Sequence, residues 1–266
     1  MILFFAGAEN KNFFNLIVSN GVKNVLFSYF YIQKKTDLET LKKEHDINVF
    51  MDSGGFSART SGKEVSVEAY KRYLERNKDY LFTAANLDVN DLETQLENQK
   101  ILEEVYPVLP VYHLAEYMEK KRDLLVEYCD KYKYVALGGM IGTYASKENV
   151  KKFLTYCFSI GLKKGTKFHG FGITSVPLLK EFPFYSCDST AWLSGGKFGT
   201  MKKWNSQKYD FLPQTHYGER DKMLELNIDV KAIDDYNLRL LQNIREYQKM
   251  EKDITKLWEI RGIKWL

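Results

Sequence analysis

Short apolar runs recur eight times along this chain, and that alternation constrains the fold more than any other feature. The runs are Ile2–Ala6, Asn24–Tyr29, Ile47–Asp52, Tyr80–Asn86, Val108–His113, Tyr134–Leu137, Lys167–Gly172 and Phe184–Cys187. Their length suits strands buried on both faces. Between them lie charged, amphipathic stretches such as Val67–Asn77, Asp91–Glu104, Glu116–Lys131 and Lys147–Ile160. In one of these, Leu92, Leu96, Gln99 and Glu103 recur at the spacing of a helix with one buried face. Strands alternating with helices build parallel βαβ units. Eight of them predict an α/β fold of the (β/α)8 TIM-barrel type, with its site at the C-terminal ends of the strands. A doubly wound open sheet satisfies the same periodicity, which does not tell closed from open. Two connections, Ala6 to Asn24 and Ser175–Glu181, look short for full helices.

The pattern changes after Trp192. Ser194–Tyr217 is rich in Gly and Lys with scattered aromatics and reads as a long functional loop; Glu219–Asn227 and Ala232–Ile260 then read as helices. With no repeat beyond the alternation and no linker, the 266 residues read as a single domain, a barrel over about 1–192 and a basic loop with C-terminal helices over about 193–266. Lys and Arg total 39 against 35 Asp and Glu, so the net charge of +4 argues little for a polyanionic partner, and local placement of charge matters more. Cys129, Cys157 and Cys187 form no Cys-x-x-Cys pair, which argues against a disulfide framework and a four-ligand zinc site. Reduced thiols in a cytoplasmic protein, with no zinc and no other cofactor, are the expectation. The apolar start lacks a basic flank and reads as a first core strand rather than a signal sequence, and no run reaches membrane-spanning length.

Polar residues close the apolar runs. Asn48 to Arg59 reads Asn-Val-Phe-Met-Asp-Ser-Gly-Gly-Phe-Ser-Ala-Arg: a strand that ends at Asp52 and runs into a hydroxyl, two glycines and Phe56. The glycines allow a tight turn and the close approach of a flat ligand, on which Phe56 can stack. The fourth run ends in Asn86 and Asp88, the fifth at His113, and the sixth runs into Gly138-Gly139. The seventh carries His169-Gly-Phe-Gly and the eighth ends in Asp188-Ser-Thr. Taken singly, each has a plain explanation: an Asp capping a helix, a core histidine, a glycine turn. Six such endings in phase go beyond what a scaffold needs for capping.

This ordered set resembles the signature of the tRNA-guanine transglycosylase superfamily over roughly 47–192: Asp52-Ser-Gly-Gly-Phe, then Leu137-Gly-Gly, then His169-Gly-Phe-Gly-Ile, and finally Asp188 with small polar neighbours. It is most similar to the compact branch that modifies DNA, the DpdA-type 7-deazaguanine transglycosylases. The tRNA enzymes carry a C-terminal zinc site of three cysteines and a histidine, for which this chain has no cluster. It also has His169 where those enzymes usually have methionine, and His113 near a position that is often glutamine. The resemblance implies base exchange, in which guanine leaves a nucleotide of an uncut strand and a 7-deazaguanine takes its place. Displacement at the sugar C1′ passes through an oxocarbenium-like state, which suits Asp188 as nucleophile and Asp52 as the proton donor and acceptor. Asp88 suits the N1 and N2 donors of guanine, Gly138 and Gly139 its carbonyl, and Phe56 its ring, with Ser53, His113 and His169 as further base-binding positions. DNA, single-stranded or with its guanine flipped out, is the expected partner, and the deazaguanine base the co-substrate. Lys197, Lys202 and Lys203 beside Trp204, in a stretch without acidic residues, suit a strand's phosphates and bases. Alternatives are a tRNA-directed enzyme of the same mechanism, a non-catalytic nucleic-acid-binding subunit, and a barrel glycosidase with two carboxylates.

Overall fold

The computed structural model describes residues 1–33, 37–89, 91–140 and 145–264. The fold is mixed α/β, with an eight-stranded, all-parallel sheet flanked by helices. The strands are β1 (Ile2–Ala6), β2 (Asn24–Ser28), β3 (Asn48–Asp52), β4 (Thr83–Ala84), β5 (Val111–His113), β6 (Tyr134–Gly138), β7 (Lys167–Gly170) and β8 (Ser186–Ser189). Each lies within or beside one of the eight apolar runs. The chain divides into two compact units: Met1–Val22 with Gly172–Leu266, and Lys23–Phe171.

In the Lys23–Phe171 unit, β2–β3–β4 and β5–β6–β7 are parallel neighbours, with Ser28 opposite Asp52 and His113 opposite Gly138. The edges β4 and β5 share one parallel bridge, Ala85–Leu109, in place of a ladder. Asn86 N donates to Leu109 O at 2.9 Å and Leu109 N to Ala84 O at 2.8 Å. The continuous ladder expected of a closed barrel is not formed there, and the helix Leu92–Glu103 supplies the reason. Gln95 Nε2 donates to Val111 O at 2.7 Å, so a side-chain amide takes the next carbonyl that β5 would offer to β4, while Gln99 Nε2 donates to Val108 O at 2.9 Å. That helix consequently buries Gln95, Asn98, Gln99 and Leu102 rather than Leu92 and Leu96. A buried amide must find a partner, and here the partner is the sheet edge.

Helix starts follow local chemistry. Ser66, Asp91 and Ser146 accept from the N–H groups of Ala69, Thr94 and Asn149, capping the helices Val67–Asn77, Leu92–Glu103 and Lys147–Lys164. The expected helix Glu116–Lys131 is instead two, Leu114–Met118 and Arg122–Lys131, with Lys120 between them at φ 62°.

In the other unit β1 pairs with β8, Phe4 opposite Asp188. The short Ala6-to-Asn24 connection holds a nine-residue helix, Lys11–Ser19, and the other a six-residue one, Val176–Glu181. The final helix, Tyr236–Ile260, buries Leu240, Ile244, Tyr247, Met250, Ile254 and Trp258 at three-to-four spacing. Where a long loop was expected, the chain forms the helix Ser194–Phe198 and two small antiparallel pairs, Thr200–Met201 with Thr215–His216 and Trp204–Asn205 with Asp210–Phe211. The tail Ala232–Ile260 resolves into a 3-10 turn, Val230–Ile233, ahead of the long helix. Among the described residues no helix is long and apolar enough to cross a membrane. All three cysteines are buried free thiols.

Candidate functional site

In the Lys23–Phe171 unit the strand ends meet around one carboxylate, that of Asp88. Asp52 ends β3 and accepts from Gly54 N at 3.0 Å, closing a tight turn. Gly54 takes φ 75°, and a Cβ there would sit 2.5 Å from the Phe30 Cβ as well as against the Ser28 hydroxyl. A Cβ on Gly55 would strike the Asp88 carbonyl. The glycine pair therefore serves the tight turn, as expected, but the chain's own neighbours fill the space that was read as ligand approach. Ser53 is fully buried, its hydroxyl near Gly55 N and Asp88 N, both at 3.4 Å, so it ties two loops together. Phe56, one residue further, is 66% exposed.

Asp88 lies among charges. Arg59 Nη1 donates to its backbone carbonyl at 2.5 Å, and Nη2 lies 3.5 Å from Oδ2. His113 Nε2 lies 3.3 Å from Oδ1. On the other side of the imidazole, Nδ1 lies 3.2 Å from Glu116 Oε1, while Glu116 Oε2 accepts from the His113 backbone N–H at 2.5 Å. The side chains of His113 and Glu116 are only 14% and 10% exposed. Burial alone would lower the His113 pKa, but the hydrogen bonds and charges of Asp88 and Glu116 outweigh it and push the imidazole up to about 10. Burial would raise the Asp88 carboxyl; His113 and Arg59 outweigh that and hold it below its usual value.

Gly138 completes this arrangement, since a Cβ there would lie 2.8 Å from His113 Cδ2. Gly139, at φ 70°, turns the chain away behind it. Asn86 is buried and internally bonded, Nδ2 to Gln95 O and Oδ1 to Leu87 N. His169, expected to contact a base, is fully buried, with the rings of Phe50 and Phe171 centred 4.5 and 4.6 Å away. Its ring is part of the core and offers no face to a ligand in this structure.

Two residues of the cluster carried no assigned role in the sequence reading. Arg59 closes the opening motif without a pattern that marks it. Glu116 did have a signal, its place three residues after His113, the spacing of a reciprocal helix cap. Tyr70, on the helix Val67–Asn77, also belongs here: its hydroxyl, with one proton to give, lies 3.0 Å from Ala85 O and 3.3 Å from Met51 O, between the end of β3 and the residue after β4.

In the other unit, Asp188 is 8% exposed in β8, and its Oδ1 accepts from Gly172 N at 2.9 Å. Ser189 Oγ lies 3.2 Å from Thr174 Oγ1 and accepts from Ala191 N at 2.9 Å. Trp192 Nε1 donates to Ala6 O, which fixes the turn after β8. The basic stretch is more packed than expected. Trp204 is 5% exposed, its indole N–H on Asp253 and its backbone N–H on Glu246 at 2.7 Å each, so it presents no stacking face. Lys202 Nζ lies 4.9 Å from the Phe211 ring centre and 6.0 Å from that of Tyr247, and burial lowers its pKa. Lys203 faces the buried Glu246 at 3.8 Å. Lys197 is exposed.

Among the described residues no group of three or more His, Cys, Asp or Glu side chains is arranged to hold a metal ion. No protein-family model and no curated protein sequence matches the chain.

Proposed function

We propose that the chain is a base-exchange transglycosylase acting on guanine in DNA, installing a 7-deazaguanine through a covalent Asp–nucleotide intermediate. The observation that carries the reading is the Asp88 carboxylate, flanked by Arg59 and His113 where β4 and β5 end. A carboxylate has about four lone-pair sites, and two cations engage only part of them, so acceptors are left for a donor-rich base edge. The exposed Phe56, on the short helix Gly55–Thr60 that follows β3, supplies a ring for stacking. The reading rests on a (β/α)8-type arrangement of the parallel strands, with the polar residues at their C-terminal ends, rather than on closure of the sheet.

The chemistry balances in two displacements. The Asp188 carboxylate attacks C1′ as the C1′–N9 bond breaks, and Asp52 gives the departing guanine its proton. The incoming deazaguanine then loses its N9 proton to Asp52 and attacks C1′, releasing Asp188. Two inversions give net retention, and the strand is never cut. A cytoplasmic setting and the absence of any cofactor belong to this reading.

The test is mass spectrometry of nucleosides from DNA and RNA of cells that express the protein and are supplied with a 7-deazaguanine. The 2′-deoxynucleoside of the 7-deazaguanine in the DNA pool is the expected result. Incorporation into RNA alone would replace the substrate with tRNA. Incorporation into neither, with the protein soluble and the base taken up, would defeat the reading.

A further inference from the structure

We infer that His113 is a positioning residue: bridging Asp88 and Glu116, it fixes the Asp88 carboxylate, together with Arg59, as a rigid acceptor for a neutral ligand edge bearing two adjacent N–H donors. The geometry carries this. His113 Nε2 lies 3.3 Å from Asp88 Oδ1 and Arg59 Nη2 3.5 Å from Oδ2, so each oxygen meets one cation. With about two lone pairs per oxygen, one on each side remains, which is the spacing of a bidentate donor pair.

Charge parity then selects the ligand. With His113 protonated, Arg59 and His113 balance Asp88 and Glu116, and the cluster is neutral. A neutral donor edge enters without leaving an uncompensated charge. With His113 neutral, the same cluster carries a net negative charge and suits a cation instead. Among the described residues Lys121, Tyr112 and Tyr128 also face Glu116; the Lys121 ammonium is paired with Glu119 at 2.8 Å, so that pair adds no net charge to the set. Burial pushes both tyrosines above their ordinary values, so they bring no charge near neutral pH. Gly138, whose missing Cβ leaves room for the imidazole, is part of the same construction.

As applied to guanine, the inference rests on the proposed function, so its test has two arms. The first is NMR of histidine ¹⁵N-labelled protein, which follows the four imidazoles with pH. One of them, assigned by its loss in His113→Gln, should stay doubly protonated beyond pH 8.5. In Glu116→Gln it should titrate at least about one unit lower, since one of its two anionic partners is gone. If His113 titrates at an ordinary value in the intact protein, the inference fails whatever the substrate. The second arm is equilibrium binding of guanine and hypoxanthine at neutral pH, the latter lacking the exocyclic amino group. Wild type should prefer guanine by about tenfold or more, and folded His113→Gln should lose most of that preference. A His113→Gln protein that keeps it would overturn the positioning role. If wild type binds neither base while His113 stays protonated, the guanine reading falls and the ligand half of the inference falls with it.

Discussion

Gly138 stands opposite His113 in the register of β5 and β6, and the absence of a Cβ there lets the imidazole lie between Asp88 and Glu116. A methyl group at Gly138 would lie 2.8 Å from His113 Cδ2 and 3.1 Å from Nε2, closer than carbon contacts allow. A glycine that reads as a turn in the sequence is thus a spacer for a charged ring.

Gly138→Ala should therefore destabilise the fold by about 1–3 kcal/mol, the range for overpacking a filled interior. It should also displace His113 from Asp88. Urea denaturation checks the first effect and the His113 NMR titration the second. A Gly138→Ala protein of unchanged stability and unchanged His113 titration would show that the ring moves aside freely.

Alkaline pH offers a second measurement. Asp88 and Glu116 push the imidazole from its ordinary value of 6.5 up to about 10 in the folded protein, so the folded state holds this proton more tightly than the unfolded chain does, and the bound proton favours folding. The contribution is fully present below 6.5 and is lost as pH rises through about 10. The stability difference between wild type and His113→Gln should therefore shrink across that window. Breaking a buried charge pair costs about 3–5 kcal/mol, which sets the upper range for the difference at neutral pH. A difference that stays flat from neutral pH to 10.5 would contradict the charged imidazole.

The eight strands were legible because each is a short apolar run ended by polar or glycine residues, and β1 matches its run end to end. β4 and β5 were overdrawn, since Tyr80–Asn86 and Val108–His113 keep only two and three strand residues. Hydrophobicity cannot report that Gln95 occupies an edge carbonyl, that of Val111. The residue types at the strand ends were also legible, but their partners were not. Asp88 meets Arg59 and His113 across separate loops, and no periodicity encodes such a pairing. Lys202 and Trp204 misled for the opposite reason: a basic, aromatic stretch looks alike whether it awaits a strand or packs on the helix Tyr236–Ile260.

That packing separates the lysines experimentally. Lys197 is exposed, whereas Lys202 covers the rings of Phe211 and Tyr247, and Lys203 faces Glu246. Lys197→Ala should leave stability unchanged and, if the chain binds a polynucleotide there, lower the salt slope of binding by about one. Lys202→Ala should instead cost about 1 kcal/mol of stability, through the lost cation–ring contacts. Thermal denaturation and salt titration of strand binding measure the two effects. Equal stability losses for both variants would mean that the burial difference carries no energetic weight.

The last prediction divides the labour between Asp188 and Asp52. Each carboxylate also has a structural bond, Asp188 with Gly172 N at 2.9 Å and Asp52 with Gly54 N at 3.0 Å. Asparagine keeps an oxygen acceptor for either bond, so both Asp→Asn variants should fold, and a loss of activity reports on chemistry. With a guanine-containing strand and no replacement base, wild type should accumulate a covalent protein–DNA adduct. Asp188→Asn should form none while still binding the strand, because a nucleophile acts on the reaction barrier more than on ground-state affinity. Asp52→Asn should form the adduct slowly and discharge it slowly when 7-deazaguanine is added, because both half-reactions need the same proton carrier. Denaturing gels and intact-protein mass spectrometry resolve the adduct. An Asp188→Asn protein that still forms it at the wild-type rate would remove Asp188 from the mechanism. An Asp52→Asn protein slowed in only one half-reaction would show that two different groups handle the proton.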